Sequence, residues 1–247
     1  MKIDRRSMLV CVAMAASFTF CNAFAHITNE ASQGPDVGAS GLGGDIMLLV
    51  VAEIMPETPD FAPDAPLSRF DLASWAALAA DLGEGGETPD TDALAAAALQ
   101  QGLVESIEGQ ATYAEINDLL FHGQLADYRP AATPTGGEAA RYIAAQLSTA
   151  AGATLLQRRG LRFGPVGEVV RVESRSNPDG GSTYVITIGA TSLPIYVHAR
   201  VGNGPVDLAR WQGRTVRRSL IRELDEMALW TYLEGEPLEV SARHKHE

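Results

Sequence analysis

The sequence predicts an α+β fold: a helical N-terminal unit followed by a small antiparallel β-barrel or curled sheet with a C-terminal helix. Two observations point there. Apolar residues recur at helical spacing between positions 67 and 152, whereas β-branched and aromatic residues concentrate after 153. The charge breaks at the same place. Residues 26–152 hold 3 basic and 19 acidic side chains, a net of −16; residues 153–247 hold 13 basic and 11 acidic, a net of +2. Helices first and strands afterwards is the order of an α+β chain, not the alternation that builds a parallel sheet.

Met1 to Ala25 reads as a secretory signal peptide. A basic start (Lys2, Arg5, Arg6) precedes an apolar run from Met8 to Phe20, and Ala23 and Ala25 supply the small residues before a cut. The run is too short for a span of about 20 residues. Arg5-Arg6 followed by Ser7-Met8-Leu9 looks like the start of a twin-arginine signal, and an ordinary export signal fits as well. Either route places the protein in the periplasm or outside the cell. Both cysteines, Cys11 and Cys21, lie in this segment, so the processed chain has no disulfide, thiol nucleophile or zinc–thiolate site.

Residues 26–66 read as a flexible leader and proline-rich linker. Ile46 to Met55 is an apolar run that periodicity assigns neither to strand nor to helix, and Pro56, Pro59, Pro63 and Pro66 follow it. Residues 67–152 form the acidic helical unit. Leu72, Trp75, Ala76, Ala79 and Leu82 mark a first helix, ended by Gly83. Asp90-Thr91-Asp92 opens an alanine-rich second, and the capping box Thr112-x-x-Glu115 opens a third ending at His122-Gly123. Glu138 to Ala151 is the fourth, with Gly152 as its C-cap.

Residues 153–240 form the β-rich domain, and 241–247 a charged tail. Thr154–Phe163, Gly167–Ser174, Thr183–Gly189 and Ile195–Val201 are the expected strands, with Asn177-Pro178-Asp179-Gly180-Gly181 as a hairpin signal. Asp207–Gln212 is a short helical turn. Leu220, Leu224, Met227 and Trp230 predict a helix over Ser219–Leu233, with Leu238–Val240 as a last edge strand. Barrels of the oligonucleotide-binding type have this general look, as do many others.

The candidate chemistry is sparse. His26 becomes a chain terminus if the cut follows Ala25, and a terminal histidine offers copper(II) an amine and an imidazole. That arrangement wants a second histidine, and His122 and His198 are the internal ones. Tyr196, His198 and Arg200 alternate onto one face of a strand and suit an anionic ligand. Arg214, Arg217 and Arg218 share a face if their segment is helical, with Arg210 and Arg222 nearby. Their forks suit an acidic partner, a ligand or this chain's own acidic half. No hydrolase elbow, P-loop, zinc-protease motif or calcium loop is present. The acidic balance disfavours nucleic acid. The expectation is therefore an exported, non-catalytic binding or accessory protein with a partner in the cell envelope, the alternative being a copper oxidoreductase or copper carrier using His26.

Overall fold

The computed structural model describes residues 27–29, 41–58, 61–83, 90–126, 130–176, 182–225 and 227–236. The expected signal peptide, His26, the 177–181 hairpin signal, the expected strand over Leu238–Val240 and residues 241–247 lie outside the described residues. Among the described residues the fold is mixed α+β, with six helices and a seven-stranded sheet.

The apolar run after the leader is helix α1, Gly43–Val51, buried almost all round. A helix without a polar face belongs in the middle of a core, and α1 packs on both a helix and the sheet. Helices α2 (Arg69–Ala79) and α3 (Thr91–Gln100) pack through Ala73, Ala77, Leu94, Ala95 and Ala98. The Ser68 and Asp90 side chains cap their first turns. Helix α4 (Tyr113–Phe121) starts at the predicted capping box and ends at His122, whose φ of 53° is left-handed. A second capping box, Thr135 with Glu138, opens α5 (Gly136–Gln146).

The expected fourth helix is two. A break at Leu147–Thr149 separates α5 from α6 (Ala150–Arg158), and Thr149 caps the new start. Gly152 is not a C-cap. A Cβ there would lie 2.2 Å from the Gln146 carbonyl oxygen, so glycine lets the two helices meet at a sharp corner. The strand expected over Thr154–Phe163 shrinks to β2, Leu161–Phe163, because α6 occupies its first half.

The remaining strands are β1 (Thr28–Asn29), β3 (Gly167–Ser176), β4 (Ser182–Ile188), β5 (Thr191–Gly202), β6 (Thr215–Leu224) and β7 (Met227–Gly235). A 3-10 turn, Leu208–Trp211, stands where the helical turn was expected. Pairings run β3–β4, β4–β5, β5–β7, β7–β6 and β6–β3, a circuit that returns to its first strand. Two pairings are parallel, β1 with β5 and β5 with β7, which corrects the all-antiparallel expectation. The connection from β5 to β7 carries the 3-10 turn and β6, and so has the length a parallel crossover needs.

The C-terminal helix expected over Ser219–Leu233 is the antiparallel hairpin of β6 and β7, with Leu224 opposite Met227. The helical stripe was misleading because β6 is buried on both faces. Ile221 and Trp230 point into the core of the strand circuit with Val169, Ile186 and Trp211. Leu220 and Tyr232 point the other way, into a core shared with α1 and the other helices. The helical half is therefore not packed as a separate unit: its main core includes Leu161, Leu220 and Tyr232 of the sheet.

Candidate functional site

Arg217, Arg218 and Arg222 of the arginine cluster lie on β6, and each meets an acid of this chain. Arg218 donates to Asp45 of α1 at 2.7 Å and pairs through Nε with Glu234 of β7. The Glu234 side chain is 2% exposed and also meets Arg217 at 3.5 Å and Asn203 at 3.3 Å. The Tyr232 hydroxyl lies 3.0 Å from the Gly44 carbonyl and 3.1 Å from Glu234. Burial by itself lowers the Arg218 pKa. The hydrogen bond and charge of Glu234 outweigh it, so the guanidinium is held above its ordinary value and stays charged.

A second clamp sits two residues beyond the end of α1. Glu53, at a left-handed φ of 54°, accepts from Arg222 at 2.6 Å and pairs with Arg159, which also meets Asp81 at 3.0 Å. Burial pulls Arg159 down, but the bond to Asp81 and the charge of Glu53 leave its pKa raised. Asp45 stands just before the apolar run Ile46 to Met55, and Glu53 is the charge within it. Each is spent on a sheet arginine.

On β5, Ile195, Ala199 and Val201 are buried in the strand core and Tyr196 packs partly buried against it, while the register against β7 shifts between Ile195 and Arg200. The Tyr196 and His198 rings meet edge to face at 5.6 Å, and the Arg222 guanidinium lies 5.9 Å from the Tyr196 ring. Arg200 is bound to Glu57 at 2.6 Å and to the Thr28 hydroxyl. His198 is exposed. Arg214 belongs to neither clamp: it sits over the Trp211 ring at 5.8 Å and reaches the Asn203 carbonyl. Arg217 stays 47% exposed. Arg214, Arg217 and Arg218 therefore form no single helical face, since strand geometry and a bulge between Val216 and Arg218 separate them.

Two arginines missed by the sequence reading share the outward side of the sheet. Arg171 and Arg175 of β3 flank Glu173, are 69% and 67% exposed, and point away from the buried Ile186 side. The strict alternation of Arg171, Glu173 and Arg175 was the available signal. Across the strands, Glu173 stands opposite Val185, and Val185 opposite Pro194, two residues before Tyr196. His26 lies outside the described residues. Among those described, no group of three or more His, Cys, Asp or Glu side chains is gathered for a metal, and no helix is long and apolar enough to cross a membrane.

A cavity of 380 Å³ between α2 and α4 holds none of these residues; Arg69, Leu72, Leu103, Glu105, Glu115 and Asp118 line it with three others. Burial raises the Glu115 pKa, but bonds from Arg69 at 2.6 Å and from Thr112 bring it below the usual carboxylate value. The chain matches no known protein family, no curated protein and no solved structure.

Proposed function

We propose that this is an exported accessory protein that binds an anionic ligand or an acidic partner of the cell envelope through the outward face of β3, β4 and β5. The observation that carries the reading is a division among the arginines. Arg200, Arg218 and Arg222 are neutralised by Glu57, Asp45, Glu234 and Glu53 from within the chain. Arg171 and Arg175 are solvent-facing and, among the described residues, pair with Glu173. In this reading the exposed His198 of β5 extends the cationic face, on a chain of net charge −12.

The closed strand circuit supports a small barrel. In barrels of the oligonucleotide-binding type the second and third strands present the ligand face. Counted from β3, those strands are β4 and β5. This is an analogy of architecture, and the acidic surroundings argue for a ligand other than nucleic acid.

The test is capture from an exporting cell with affinity-tagged protein, quantified by mass spectrometry. Arg171→Glu with Arg175→Glu should lose the captured partner, whereas Arg214→Glu with Arg217→Glu should keep it. Equal capture by the first pair and the wild type removes the proposed face. Localisation is tested by cell fractionation, where a cytoplasmic, full-length chain contradicts export.

A further inference from the structure

Strand β3 is paired along its length on one side and only at its start on the other. β4 accompanies it from Val169 to Ser176. On the opposite side Gly167 and Glu168 pair with β6, and Val169 exchanges backbone bonds with Gly213 and Arg214. Among the described residues, no strand continues that side from Val170 to Ser176. An edge of this kind presents a row of backbone donors and acceptors to any strand that fits it. The open stretch is regular. Its register against β4 shifts between Val169 and Arg171, then runs unbroken from Arg171 opposite Thr187 to Ser176 opposite Ser182. Alternation therefore holds here: Arg171, Glu173 and Arg175 share one face, and Val172, Ser174 and Ser176 the other.

We propose that two copies of this chain pair along this edge, β3 antiparallel to β3, about a two-fold axis at Ser174. The charges of the edge select this occupant and this axis. Facing residues in an antiparallel pair share a face, so the axis must pass through a residue. An axis at Glu173 sets that carboxylate against itself and Arg171 against the second copy's Arg175. An axis at Ser174 sets Glu173 opposite the second copy's Arg175, and Arg175 opposite its Glu173. Opposite charges facing across strands stabilise the pair, and like charges destabilise it. An axis at Val172 also matches Arg171 with Glu173, but it carries the pairing across the irregularity at Val170, where a bulged strand bends. From Ser174 the paired stretch is 172–176, clear of that shift. Ser174, Arg175 and Ser176 are exposed, so a second strand can approach. Within one chain Glu173 sits 2.5 Å from Arg171 and 3.5 Å from Arg175, so the Arg175 guanidinium is the looser of the two. Serine at the axis is small enough to face its own copy. The net charge of −12 on each chain opposes approach and keeps the pairing reversible. The dimer does not require the proposed ligand, but it places the outward faces of both copies on one continuous sheet.

Sedimentation velocity of the purified protein over about a hundredfold range of concentration should show a monomer–dimer equilibrium. Arg175→Glu and Glu173→Arg each set like charges across the axis, and each should weaken the dimer at least about tenfold. Mixed together, the two variants should pair with one another, because every facing charge is again opposite. The double variant Glu173→Arg with Arg175→Glu should dimerise alone, a rescue that misfolded variants could not give. The axis is read by Ser174→Cys in a chain also carrying Cys11→Ser and Cys21→Ser. Mild oxidation should join its copies, since facing Cα atoms about 5 Å apart suit a disulfide. Ser176→Cys in the same background should crosslink far less. A protein that is monomeric at every concentration overturns the proposal, as does a dimer that both charge reversals leave unchanged. Equal crosslinking at 174 and 176 overturns the axis at Ser174.

Discussion

Arg218 and Asp45 are 173 residues apart in the chain and 2.7 Å apart in the fold. Their bond ties the first helix to the penultimate strand, and Arg218 continues it to the buried Glu234. The helical half and the sheet are thus fastened by charge as well as by the core that Leu220 and Tyr232 share with α1.

Removing one member of this group should be costly, because it strands the rest. Glu234→Ala leaves Arg218 without its buried partner, and urea unfolding should show a loss of about 3 kcal/mol. Replacing both, as Arg218→Met with Glu234→Leu, should recover much of that loss, since it removes the buried charge altogether. A double variant as unstable as Glu234→Ala would contradict this account of the loss.

Gly44 allows the helix its close approach. A Cβ at this position would lie 2.6 Å from a Glu234 carboxylate oxygen. Gly44→Ala should therefore destabilise by about 1–3 kcal/mol despite alanine's better helix propensity. Stabilisation on the same urea curve would show that α1 sits further from β7.

The β6–β7 hairpin makes a prediction that separates it from a helix. Leu224 and Met227 are exposed at its tip, whereas Leu220 and Trp230 are fully buried. Leu224→Lys and Met227→Lys should each change stability by less than about 0.5 kcal/mol. Leu220→Ala and Trp230→Ala should cost about 3–5 kcal/mol. A helix with all four on one buried stripe would respond to all four.

Glu115 gives a pH signature. Its folded pKa is lowered, so its contribution is present above the unfolded value of about 4.3 and is lost as pH falls through the folded value. The melting temperature of Glu115→Gln should fall below the wild type at pH 7, and the gap should close on acidification below about pH 4. A gap that widens in acid would reverse the assigned sign.

The elements legible in the sequence were those with local chemistry. Thr112 and Glu115 announced α4, Asp90 announced α3, and the Val-rich runs announced β3 and β4. The failures share a physical cause. Leu220 and Ile221 face two different cores, so their strand lost the alternation that identifies strands. Leu224 and Met227 are joined by Asp225 and Glu226, with Asp225 at a φ of 46° and no glycine to mark the turn. The charge asymmetry pointed to contact between the arginines and the acidic half, whereas the alternation expected for Tyr196, His198 and Arg200 runs through a stretch of β5 whose register shifts between Ile195 and Arg200. The particular partners, Asp45, Glu53 and Glu57, were set by tertiary packing and left no local signal.

The division of the arginines is measured most directly by arginine-selective labelling with phenylglyoxal, followed residue by residue by mass spectrometry in the native protein. Arg171 and Arg175 should react rapidly, and Arg218, Arg222 and Arg159, each held by carboxylates, should react at least about tenfold more slowly. Equal rates for Arg218, Arg222 and the two β3 arginines would mean that the clamps do not hold, and that the proposed binding face is not the distinctive cationic surface of this protein.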